Sequence, residues 1–210
     1  MGFSDFMARQ SGNPQGLFGR LLMALYLDRS NRVGNQLVYE TLAFEPQHRV
    51  LEIGFGGGSL LFRIAAELDE GQMIGMELSQ PMLRNAIKRA RRLNLKHKTQ
   101  FLQGTIERLP FEDQDFDRIC SVNTVYFWPD IDHGLTELCR VLKPGATLVL
   151  GFGHAETLRQ QGYEDRGFNL FSDDAIKDAM NRNGFEVDVL SSVERGERGP
   201  FFACRGVRSA

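Results

Sequence analysis

The stretch from Val50 to Gly58, Val-Leu-Glu-Ile-Gly-Phe-Gly-Gly-Gly, constrains this chain more than any other. Val50, Leu51 and Ile53 form a short apolar run bounded by His48 and Arg49 before it and glycines after it, which predicts a buried parallel strand. Gly54, Gly56 and Gly58 remove Cβ atoms where the backbone must turn sharply and where a ligand can lie against it. Ser59 then opens Ser-Leu-Leu-Phe-Arg-Ile-Ala-Ala-Glu-Leu, in which Leu61, Ile64, Ala65 and Leu68 share one helical face. Strand, glycine turn and helix in that order predict an α/β fold.

Many close strand-to-helix connections want a glycine or two, so the spacing has to carry the argument. The dinucleotide pattern G-x-G-x-x-G puts its third glycine at Ser59 when counted from Gly54, and at Leu61 when counted from Gly56. Neither fits. The pattern present is E-x-G-x-G-x-G, over Glu52, Gly54, Gly56 and Gly58. A carboxylate two residues before the first glycine would oppose a pyrophosphate and suit a cationic ligand.

Downstream, Gln72–Glu77 predicts a second strand ending in an acid. A carboxylate at that tip can accept two hydrogen bonds from a ribose diol. Its competing reading is a helix N-terminal charge, because Ser79 and Pro81 open a helix just after it. Thr99–Gln103 predicts a third strand, followed by the loop Gly104-Thr105-Ile106-Glu107-Arg108-Leu109-Pro110-Phe111. The run 115–122 predicts a fourth strand, with Asn123 at its C-terminal end, beside the crevice where open α/β sheets bind ligands.

Taken in order, these blocks resemble the motifs of the class I S-adenosylmethionine-dependent methyltransferases over about residues 48–207, within the small-molecule, ubiquinone/menaquinone-methyltransferase-like group. The resemblance implies a Rossmann-like, seven-stranded, mostly parallel sheet with one antiparallel strand, helices on both faces and extra N-terminal helices. It implies S-adenosyl-L-methionine as cofactor, whose ammonium and sulfonium suit Glu52 and which carries no phosphate. It assigns cofactor binding to Glu52, Gly54, Gly56, Gly58, Glu77, Leu78, Thr105, Ile106 and Asn123. The family's loop commonly reads G-D-A-x-x-L-P-F, with the aspartate on the adenine amino group and the next backbone N–H on a ring nitrogen. Here Thr105 stands for the aspartate and Ile106 for the alanine, so a hydroxyl and a backbone N–H take those roles, with Glu107 as the other available carboxylate.

At 210 residues and 42% hydrophobic, the chain has the size of one domain, with residues 1–45 as a helical cover and 46–210 as the cofactor-binding core. A net charge of −2 gives no global attraction to nucleic acid or to anionic membrane. No apolar run approaches membrane-spanning length, and no basic-then-apolar leader opens the chain, so a cytoplasmic location is expected. Cys120, Cys139 and Cys204 suit neither a disulfide framework nor a zinc site and read as small core residues. Lys88, Arg89, Arg91 and Arg92 form a basic helix face, read here as solvated and complementary to the helix dipole rather than as a nucleic-acid patch. A homodimer stays open.

The acceptor side is less marked. Phe18, Arg20 and Tyr26, on a helix expected around 17–25, either line a pocket or cover the sheet, and a second helix is expected over 33–44. The polar, glycine-bearing stretch from Gly151 to Asn169 reads as a working loop. Tyr126, Phe127 and Trp128 either stack on a substrate or cap the core. Residues 185–193 and 201–207 predict two final strands, the last antiparallel. His154 is the best-placed candidate base, with a plain surface histidine as its competing reading, and no other catalytic residue is nominated. The expected activity is methyl transfer to a small-molecule acceptor by in-line displacement. A nicotinamide-dependent oxidoreductase fails on glycine spacing and Glu52. A cofactor-binding protein without transfer activity, or a methyltransferase acting on protein or nucleic acid, would share the cofactor motifs.

Overall fold

The structure, a computed structural model, describes residues 31–196 and 199–210. Its elements in chain order are α1 (Arg32–Leu42), β1 (Arg49–Ile53), α2 (Ser59–Glu67), β2 (Gln72–Glu77), α3 (Gln80–Arg92), β3 (Thr99–Gln103), β4 (Phe116–Val122), α4 (Ile131–Val141), β5 (Leu142–Gly153), α5 (Ala155–Gln160), α6 (Asp173–Arg182), β6 (Phe185–Val193) and β7 (Phe201–Arg208). Short 3₁₀ turns at Val125–Phe127 and Glu164–Arg166 complete it. The strands form one sheet in the order β3-β2-β1-β4-β5-β7-β6, with β7 antiparallel to both neighbours. This is the seven-stranded, mostly parallel sheet that the sequence predicts.

Period-two alternation sorts each central strand between two cores. Leu51 and Ile53 of β1 face a core shared with Leu135, Leu138 and Val141 of α4 and with Ile176, Ala179 and Met180 of α6. Val50 faces the other, with Val38 and Leu42 of α1, Leu61, Ile64 and Ala65 of α2, and Ala86 and Ala90 of α3. Helix α1 lies very close to the sheet: a Cβ on Gly34 would sit 2.7 Å from the Phe201 ring, and one on Gly151 2.6 Å from Val38. The N-terminal cover thus packs α1 on the β5/β7 half of the sheet, while Phe18, Arg20 and Tyr26 lie outside the described residues.

The expectation of a working loop over 151–169 needs correction. Gly151, Phe152 and Gly153 belong to β5, and Phe152 is 1% exposed and stacked on Phe202 with ring centroids 5.7 Å apart. The chain then forms α5 and a 3₁₀ turn. Of the glycines that suggested a loop, Gly151 instead lets α1 approach the sheet, while Gly162 and Gly167 turn the chain at positive φ after α5. Leu93 is 49% exposed because α3 ends at Arg92 and Leu95 packs inward in its place. Cys120 and Cys204 are buried as expected, whereas Cys139 is half-buried.

Candidate functional site

Strand order reverses between β1 and β4: β1 is followed outward by β2 and β3 on one side, and β4 by β5 on the other. The loops after β1, β2, β3 and β4 therefore gather at one edge, above the crevice that this reversal opens. All nine cofactor-binding positions predicted from sequence fall on these strands or the loops that follow them.

The glycine loop is fixed from several directions. Gly54 has φ +69°, and a Cβ there would lie 2.4 Å from Thr124 Cγ2, so packing against the β4 exit as well as backbone conformation demands glycine. Ser121 Oγ donates to the Ile53 carbonyl at 2.9 Å and lies within hydrogen-bond reach of Thr124, tying the ends of β1 and β4 together. The Gly56 N–H donates to Glu77 Oε2 at 3.0 Å, and the Ser79 N–H to Glu77 Oε1 at 2.9 Å. The Glu77 carboxylate is thus held by two backbone donors. Each oxygen retains acceptor capacity, because a carboxylate has about four lone-pair sites.

Arg89 departs from its expected place on a solvated face. Its guanidinium lies 4.8 Å from the Phe62 ring centroid and donates from Nη1 to the Gly57 carbonyl at 2.8 Å. Its long stem carries the charge from the last turn of α3 to the glycine loop. Lys88, Arg91 and Arg92 are exposed as expected.

Glu52 is 3% exposed in the middle of β1, paired in register with Cys120 of β4. Burial pushes the Cys120 thiol well up, and the nearby Glu52 charge adds to this, so Cys120 is an inert thiol. Leu78 is 59% exposed at the same edge, and its carbonyl accepts from Gln103 Nε2 at 3.1 Å. Thr105 is exposed, whereas Ile106 is 5% exposed with its side chain turned into the core.

Asn123 occupies the left-handed region at φ 57° and opens a chain of polar contacts across the β4 and β5 exits. Its Nδ2 donates to Asn31 Oδ1 at 2.9 Å, while its Oδ1 accepts from the Tyr126 hydroxyl at 3.2 Å. That hydroxyl in turn accepts the Gly153 N–H at 2.5 Å. Tyr126 is only 4% exposed, and burial pushes its hydroxyl pKa up. Trp128 is 3% exposed. Both rings are therefore buried in this structure, which favours the core-capping alternative over substrate stacking. The aromatic that this turn offers outward is Phe127, 47% exposed, in edge contact with Phe168 at 4.7 Å. Tyr163 meets Phe168 at 5.0 Å, so residues from the 3₁₀ turn region complete an aromatic cluster that sequence spacing alone did not reveal. His154 precedes α5, half-buried, with Nδ1 3.1 Å from Thr157 Oγ1.

This donor set fits one ligand class well. Two carboxylates, one in β1 and one at the tip of β2, flank a bare glycine backbone, an arrangement that suits a ribose diol and a cationic amino-acid end and opposes phosphate. Residues 50–145 match the family model described as a methyltransferase domain. Residues 50–145 of the chain carry a methyltransferase domain. The methyltransferase domain is 35% identical over 127 residues to the ubiquinone/menaquinone biosynthesis C-methyltransferase UbiE of Rickettsia bellii, a match covering 58% of this chain and 51% of that protein. It is 33% identical over 120 residues to a fatty-acid O-methyltransferase of Mycolicibacterium smegmatis, covering 56% of this chain and 42% of that protein. The chain spans about half the length of these curated relatives. Among solved structures, a possible histamine N-methyltransferase of Thermotoga maritima superposes with a TM-score of 0.70 at 25% identity, covering 96% of this chain and 97% of that one. S-adenosylmethionine is the cofactor that these likenesses imply.

Proposed function

We propose that this chain transfers a methyl group from S-adenosylmethionine to a small, largely apolar acceptor by in-line displacement. The observation that carries the reading is the Glu77 carboxylate held by the Gly56 and Ser79 amides, at the tip of the strand beside the glycine turn. When bound, the cofactor supplies a methyl on a sulfonium leaving group. The residues of this chain then have to bind, orient and exclude water, and orientation of that kind is worth roughly 7–11 kcal/mol. Glu77 takes the ribose hydroxyls, the backbone at Thr105 and Ile106 meets the adenine, Glu52 favours the cationic end, and Asn123 meets the methionine end.

On the acceptor side, Phe127, Tyr163 and Phe168 give an aromatic wall at the exits of β4 and β5. A mostly apolar cavity with a few polar groups is the usual small-ligand site. The relatives named above as quinone and fatty-acid methyltransferases support acceptors of that kind. No helix among the described residues is long and apolar enough to cross a membrane. His154, bonded within its own helix turn, is a helix-cap residue rather than a base in this reading.

Calorimetric titration with S-adenosylmethionine and with NAD, followed by incubation with methyl-labelled cofactor and a panel of quinol, fatty-acid and amine acceptors, tests the proposal. Binding of S-adenosylmethionine alone with label transferred to an apolar acceptor is expected. Binding without transfer to any acceptor would favour a non-transferring cofactor-binding protein, and NAD binding would overturn the site.

A further inference from the structure

Helix α4 lies along the loop that joins β3 to β4 and grips it at helical intervals. His133 Nε2 lies 2.7 Å from the Glu107 carbonyl. One residue on, Gly134 allows Ile106 to approach, since a Cβ there would sit 3.0 Å from Ile106 Cγ1. Glu137 Oε2 accepts the Leu109 N–H at 2.9 Å. Arg140 donates from Nη2 to the Leu109 carbonyl at 3.0 Å, and from Nη1 to the Phe111 carbonyl at 2.9 Å and Asp113 Oδ1 at 2.8 Å. Its Nε and Nη2 also reach Glu137, at 2.8 and 2.9 Å. Those contacts account for every N–H that a guanidinium carries. His133, Glu137 and Arg140 stand at i, i+4 and i+7, so they share one face of the helix. That face is directed at the loop's backbone, with the Glu137 and Arg140 side chains only 17% and 31% exposed and His133 at the exposed end.

The gripped loop has no regular secondary structure of its own between Gly104 and Phe111. Its position is therefore an attribute of α4. That matters at Thr105, where the absence of a carboxylate shifts base recognition onto the backbone N–H of Ile106. A backbone donor facing the purine edge favours adenine, whose N1 accepts, over a 6-oxo purine, whose N1–H would set donor against donor. We propose that His133, Glu137 and Arg140 are positioning residues for base recognition, holding the Ile106 N–H where it selects a 6-amino purine. The proposal rests on the adenine reading of this loop given above.

The test compares S-adenosylhomocysteine with its 6-oxo counterpart, S-inosylhomocysteine, by calorimetry on the full chain and on Arg140→Lys, Glu137→Gln and His133→Ala. The unchanged protein is expected to prefer the adenosyl ligand tenfold or more. Arg140→Lys and Glu137→Gln should bring that preference within threefold by weakening the adenosyl ligand, leaving inosyl affinity within twofold. Equal losses for both ligands, the mark of a merely structural role, would overturn the proposal, as would a preference that survives the substitutions. An unchanged protein that binds both ligands equally would remove the adenine reading together with the proposal, an outcome distinct from the other two. Should the Glu137 and Arg140 variants fail to fold, His133→Ala decides. It removes one loop contact from an exposed side chain, is expected to lower the ratio about threefold, and overturns the proposal if the ratio stays put.

Discussion

At the scale of single residues, Glu77 combines two duties. Its carboxylate orders the glycine turn through Gly56 and, in the proposed function, accepts from a ribose diol. Replacing Glu77 with alanine should weaken S-adenosylmethionine binding by about 1.5–3 kcal/mol, the range for hydrogen bonds to a charged group; unchanged affinity in calorimetry would remove it from the site. His154→Gln should leave turnover within a few-fold, because its ring is engaged with Thr157. A fall of roughly 10²–10⁴-fold, as expected for loss of a general base, would instead install it as the catalytic base. The placement of Glu52, the glycines and Glu77 on strand, turn and strand tip was readable because these are close in sequence and their spacing is set by local geometry. Arg89 was not, since its partner Gly57 is distant in sequence and helical spacing says only that a long cationic side chain starts on an outer face. For Tyr126 and Trp128 the sequence left two readings open for a related reason. An aromatic beside a crevice can turn either way, and only the packing of 3₁₀ turn, β5 and α4 sends these two inward.

At the scale of elements, the central strands and the crossover helices declared themselves through apolar periodicity, while the end of β5 did not. A strand buried on both faces and carrying glycines, one of them for a close-packed helix, looks, in sequence, like a glycine-rich loop. The helix-to-loop grip of α4 has a pH signature. The Arg140 guanidinium beside Glu137 holds its carboxyl below the usual range, with the Leu109 N–H and the nearby His133 acting in the same direction. A carboxyl depressed on folding contributes stability above its unfolded pKa of about 4.3, and that contribution is lost as pH falls through the folded value. The stability gap between the original protein and Glu137→Gln, measured by urea unfolding, should therefore be largest near pH 7. It should shrink below about pH 4.3. A gap that stays constant down to pH 3 would show that the Glu137 charge contributes nothing to the grip.

For the whole molecule, the topology separates the elements that bind from those that close the sheet. The site draws on the exits of β1, β2, β3 and β4, whereas β6 is an edge strand whose residues alternate between half-buried and exposed beyond Phe185. Val50, Leu51, Ile119 and Leu148 are fully buried at the centre, so amides of β1, β4 and β5 should exchange only when the whole domain unfolds. Ligand binding to the folded state adds RT ln(1 + [L]/Kd), about 2.7 kcal/mol when ligand is a hundredfold above Kd. S-adenosylhomocysteine at that excess should therefore slow exchange of the central amides by roughly a hundredfold. The outer edge of β6 can open without disturbing the crevice, and its amides should gain little. The Gly56 and Ser79 amides, already bonded to Glu77, should slow along with the centre if the glycine turn is ordered as part of the cooperative unit. Equal slowing in β6 would show that the sheet opens only as a whole, and no slowing in β1 and β4 would mean that the ligand does not bind this folded state.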